Sequence, residues 1–152
     1  MTEREEHIEE MKERLRGCRD WLGDDFKVSA IADNQFFITL PVKTVFRETI
    51  MLYASVNTRG TVAFSDCNIV HDDFRFNGWG LSYARNVILG VVKHIGLGYY
   101  DRENKREITA YAKKECFSEK LRDLVTAIAA LDSLMLFKLR SHKSPGTLQK
   151  DE

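Results

Sequence analysis

Apolar residues at the start of the chain recur at spacings of three and four. Ile8, Met11, Leu15, Cys18 and Leu22 trace a narrow stripe, which predicts a helix over about 3–22. Thr2, followed three residues later by Glu5, reads as its capping box, and Gly23 as its C-cap. The period then changes to two. Phe26, Val28, Ala30 and Ala32 alternate with Lys27, Ser29 and Ile31; Asp33-Asn34 signals a turn, and QFFITLP returns as a second strand ended by Pro41. A second hairpin pairs 49–57 with 61–65 around Thr58-Arg59-Gly60. A short helix over 69–76 follows, with Val70, Phe74 and Phe76 expected to pack inward. Asn77-Gly78-Trp79-Gly80 breaks it, and Ser82 is expected to cap a helix running to about Ile95. Strands at 97–100 and 107–111 flank the polar loop DRENKR. Ser118 is expected to cap a last helix whose face carries Leu121, Leu124, Val125, Ile128, Leu131, Met135 and Leu139.

Hairpins rather than strict βαβ alternation imply an α+β fold. We expect an antiparallel sheet of about four to six strands, with an N-terminal, a middle and a long C-terminal helix. A length of 152 residues suits one domain, assigned to 1–140, with 141–152 a flexible polar tail. Ala127, Ala129, Ala130, Leu134, Leu136 and Phe137 make the last helix apolar on nearly every side. Such a helix either threads the core or is buried against a partner. Leu124, Ile128, Leu131 and Met135 are therefore the candidate interface of a homodimer.

Hydrophobic residues at 43% and charged residues at 30% describe an ordinary globular chain. Lys plus Arg and Asp plus Glu are 23 each, so the charge balance disfavours a protein that coats DNA. No apolar run suits a membrane span, and the charged N-terminus lacks the apolar stretch of a signal peptide, so a cytoplasmic location with no membrane partner is expected. Cys18, Cys67 and Cys116 are odd in number and far apart, signalling neither a disulfide framework nor a zinc site.

The strand pair LYASVNTRGTVAFSDCNIVHDDFRFNGW is followed by a helix, the turn HIGLGYY, a charged hairpin with REITAYA and the helix LRDLVTAIAALDSL. This order resembles a prokaryotic domain of unknown function, number 1828, found in bacteria, archaea and their mobile elements. The similarity covers about 26–135. Its strand-to-helix turn, Thr-Asp-Asp-Gly-like in that family, is occupied here by Ser65-Asp66-Cys67-Asn68. Asp66 matches; Cys67 replaces the second acid and Asn68 the glycine. The resemblance implies a fold and a genomic setting, not a reaction, and the missing acid counts against metal at the turn.

Asp66, Asp72 and Asp73 cluster in sequence with His71, the oxygen-rich set that a cation-dependent nuclease would need. The same residues equally serve as turn acids. Glu103-Asn104-Lys105 adds an E-x-K triplet, although on a loop. Cys67 with His71 is the one thiol–base pair near in sequence. No phosphate-binding glycine loop and no nucleophile elbow occurs. Between Arg102 and Arg122 seven bases, including Lys105, Arg106, Lys113 and Lys114, stand against four glutamates. Tyr99 and Tyr100 lie beside them and would stack on exposed bases. With no strong catalytic motif, the expectation is a non-enzymatic interaction or regulatory module acting through protein contacts, without cofactor or resident metal. The alternatives are a nucleic-acid-binding module and a metal-dependent nuclease using the Asp66 turn.

Overall fold

The computed structural model describes residues 2–141, with side chains to residue 136. The expected tail, 142–152, lies outside the described residues. Helix α1 (Glu3–Arg16) begins as expected: Glu5 N–H donates to Thr2 Oγ1 at 3.1 Å, and Thr2 Oγ1 to Glu5 Oε1 at 3.1 Å. It stops short of residue 22 because glycine is a poor helix former and Gly17 ends it. A separate turn, α2 (Arg19–Leu22), then carries Trp21 to Ser118, whose Oγ accepts from Trp21 Nε1 at 3.0 Å.

Six strands follow in two groups: β1 (Lys27–Ala32), β2 (Gln35–Leu40), β3 (Ile50–Val56) and β4 (Val62–Ser65), then β5 (Gly98–Arg102) and β6 (Lys105–Ala112). They form one antiparallel sheet in the order β1-β2-β3-β4-β6-β5. Between the groups run α3 (Ile69–Phe76) and α4 (Leu81–Ile95); α5 (Phe117–Ser141) closes the described fold. The α+β expectation is therefore met. The loop DRENKR is shorter than its composition suggested, with Asp101-Arg102 and Lys105-Arg106 in the strands.

Alternation along the strands sets one face against the helices. Phe36, Ile38, Leu40, Ile50, Leu52, Ala54, Val62, Phe64, Ile108 and Ala110 are all buried there. Helix α5 lies against β6 and also touches α1, α3 and α4, which explains why it is apolar on nearly every side. Leu124, Ile128, Leu131 and Met135 are at most 2% exposed within a single chain. This corrects their assignment to a homodimer contact. Phe76 is corrected too: at 92% exposed it points out, while Trp79 takes the inward place against Phe74 at 4.6 Å. Gly80, not Ser82, precedes α4, and α5 starts one residue before Ser118, out of a 3-10 turn at Lys114–Cys116.

The β2–β3 loop is clasped to the helices. Thr44 Oγ1 donates to Asp132 on α5, and Arg47 pairs with Asp73 on α3. At the far edge, Gly98 is demanded by a close approach, since a Cβ there would lie 2.7 Å from Thr109 Oγ1 across the β5–β6 pair. Gly98→Ala is expected to lower stability by about 1–3 kcal/mol, the cost of overpacking, measured by urea denaturation.

Candidate functional site

The turn after β4 was the leading candidate for chemistry. Its backbone is unusual: Cys67 and Asn68 both adopt positive φ, at 56° and 67°. Asn68 tolerates this conformation better than most residues, and its Oδ1 accepts from Arg106 N–H at 3.0 Å. Asp66 is 1% exposed. Its Oδ2 accepts from Val70 N–H at 3.0 Å and its Oδ1 from Ile108 N–H at 2.9 Å. One carboxylate thus ties the first turn of α3 to β6. Burial raises its pKa to about 6, against the lowering effect of these two amide bonds.

The other members of the set point elsewhere. Asp73 is engaged by Arg47, and Asp72 is exposed on α3. His71 is buried, with Nδ1 3.5 Å from Tyr99 Oη; burial first, then Arg106, lowers its pKa. Asp66, Asp72, Asp73 and His71 do not converge. Among the described residues no group of three His, Cys, Asp or Glu side chains could hold a metal ion. The Cys67 thiol is raised by burial and by the nearby carboxylates of Glu107 and Asp66, so it stays protonated and weakly nucleophilic. Ser65 Oγ donates to Glu107 Oε2 at 2.7 Å and accepts from Cys67 N–H at 2.9 Å, which fixes the turn. These hydrogen bonds are all internal to the fold.

The basic cluster is divided. Arg102 and Lys105 stand over the Tyr100 ring at 5.6 and 5.2 Å from its centroid, and Lys105 also pairs with Glu107 at 3.4 Å. Arg106 turns to Asp101 at 3.1 Å. Tyr99 is on the helix-covered face beside His71 and cannot stack on a ligand together with Tyr100. Lys113 and Lys114 lie beyond the opposite end of β6, about 26 Å away for eight extended residues. There they line an open cleft of about 1180 Å³ with Arg59, Glu9, Glu10 and Glu13. The cleft carries both signs of charge, so it is no simple anion site.

The surface that stands out is the uncovered face of the sheet. It combines Phe37 (37% exposed), Met51 (45%) and Tyr111 (66%) with half-buried Tyr53. Tyr100 lies on the same face at the β5 edge, and Ile31 sits at the β1 bulge on the opposite edge of the sheet. Pairing fixes their neighbours. One row across the sheet reads Ser29, Phe37, Tyr53, Ser65, Thr109 and Gly98. Phe37 and Tyr53 meet edge to face at 6.2 Å. A parallel row reads Gln35, Ser55, Ala63 and Tyr111. On the other side lie Lys27, Thr39 and Met51, then Glu107 and Tyr100. Apolar bulk occupies the middle, and Lys27, Arg102 and Lys105 stand at the rim. The sequence did contain the signal: Phe37, Met51 and Tyr53 occupy the strand phase that a solvated face fills with polar residues.

Among the described residues no helix is long and apolar enough to cross a membrane. Comparison with protein-family models, with curated proteins and with solved structures finds no match to this chain.

Proposed function

We propose that this protein is a non-enzymatic interaction module whose docking surface is the open face of its sheet. The observation that carries the reading is the exposure of Phe37, Met51 and Tyr111, with half-buried Tyr53 against Phe37, on one face of the six-stranded sheet. Aromatic residues and methionine in the middle with charge at the rim are the composition of protein interfaces. The candidate acids support no competing chemistry, because Asp66 is satisfied by backbone amides and Asp73 by arginine. The likeness to the prokaryotic domain of unknown function 1828 fits a regulatory role in a prokaryote or mobile element and remains part of this proposal.

The test is capture from an extract of the cells that make the protein, using the full chain, Phe37→Glu and Met51→Glu. Each retained protein is identified and its affinity then measured as a purified pair. Each substitution is expected to weaken binding by roughly thirtyfold or more, as for a hot-spot residue. Equal retention by all three chains, or turnover of nucleic acid by the purified protein with magnesium, overturns the reading. Nucleic acid that co-elutes and washes off in high salt would favour the nucleic-acid alternative instead.

A further inference from the structure

Resting on that reading of the open face, we propose that its occupant is a second copy of this chain. The two copies pack sheet against sheet about a two-fold axis that runs along the strands between β3 and β4. The argument is complementarity of bulk. Strand order puts β1, β2 and β3 on one side of such an axis and β4, β6 and β5 on the other. The first side carries Phe37, Met51 and Tyr53. In the central row the second side carries only Ser65, Thr109 and Gly98.

A two-fold axis along the strands reverses strand order and keeps each row. Strand β3 then faces the partner's β4, β2 the partner's β6 and β1 the partner's β5. Tyr53 falls opposite the partner's Ser65, Phe37 opposite the partner's Thr109, and Ser29 opposite the partner's Gly98. In the next row Gln35 meets the partner's Tyr111. In the third, Lys27 meets the partner's Tyr100, at the rim of the contact. Packed sheets lie about 10 Å apart, a gap that Tyr53 with the partner's Ser65 and Phe37 with the partner's Thr109 each fill as one large and one small side chain.

The extent is sufficient. Six strands about 4.8 Å apart, with about three outward residues each, give roughly 600 Å² per copy, at the lower end of the range for a stable interface. The contact is isologous and closes on itself, so it ends at a dimer.

Light scattering on the full chain over a dilution series tests this, with an expected mass of twice 17.6 kDa. Gln35→Arg and Tyr111→Glu each place an unpaired charge in the contact and are expected to weaken the dimer at least roughly tenfold. Combined in one chain they restore it, because each new glutamate meets the partner's new arginine. Phe37→Glu with Thr109→Arg repeats the test nearer the axis. The pair of half-buried Gln35 and exposed Tyr111, away from the central row, keeps the test valid if the central substitutions impair folding. A monomer at every dilution overturns the second copy as occupant. The docking reading survives that result if Phe37→Glu still releases a captured protein, and falls with it if capture is unchanged. A dimer indifferent to all four substitutions, or rescued in neither double variant, overturns the proposal as well.

Discussion

Asp66→Ala is expected to lower stability by about 2–5 kcal/mol at pH 5, because it strands two buried backbone N–H groups, each costing about 1–3 kcal/mol. Those groups, on Val70 and Ile108, anchor the start of α3 and the middle of β6. The loss depends on pH in a defined direction. The folded pKa of Asp66 is raised to about 6 from an ordinary 3.8, so the folded state holds this proton more tightly than the unfolded chain. Its contribution is complete below about pH 4 and is lost as pH rises through 6. The stability gap between wild type and Asp66→Ala should therefore narrow from pH 4 to pH 7. Buried His71 acts with the opposite sign. Its lowered pKa makes its contribution present above 6.5 and lost as pH falls. That term is common to wild type and variant, so the difference between their denaturation midpoints isolates Asp66. A gap that widens with pH would contradict the burial of this carboxylate.

Leu124→Ala is expected to cost about 2–5 kcal/mol and to leave the oligomeric state unchanged. Leu124 is 0% exposed and faces the sheet and helices of its own chain. Truncation leaves a cavity that the rigid layers around α5 cannot close. In a domain of this size the melting temperature should fall by about 5–20 °C. Light scattering on the variant at a temperature where it remains folded supplies the second readout. A loss of dimer without loss of stability would return Leu124 to an interface. Together with the charge substitutions on the open face, this separates the two apolar surfaces of the chain. One holds the protomer together, and the other is free to hold something else.

Most of the architecture was legible from the chain. Each hairpin was written in period-two alternation with a turn signal: Asp33-Asn34, then Arg59-Gly60. What local patterning could not reveal was which strand lies beside which. Only the β4–β6 pairing brings Ile108 to Asp66, and that pairing turns a candidate metal ligand into a backbone anchor. The same pairing explains the basic cluster. Bases close in sequence separate when a strand extends between them, as Lys105 and Lys113 do. Phe76 failed for a local reason: Trp79, three residues on, fills the inner site against Phe74. The apolar bulk of α5 was visible, yet its two explanations differ only in what surrounds the helix.

Strand order also bears on how the chain comes to be folded. The first four strands pair with one another in chain order, so this meander forms from local contacts at little cost in loop closure. Strands β5 and β6 likewise pair through a two-residue turn. The sheet becomes continuous when β4 meets β6, joining Val62 to Ala112 and Ser65 to Thr109 across both middle helices. That single distant pairing sets the slow, topologically demanding part of folding. During synthesis α1, made first, is there to pack on β1 and to set His7 against Phe36, while the part of the inner face toward β4 waits for β6 and α5. A chain with this order of elements depends on its last helix to finish the covering that its first helix begins, as Phe117 does against Phe64.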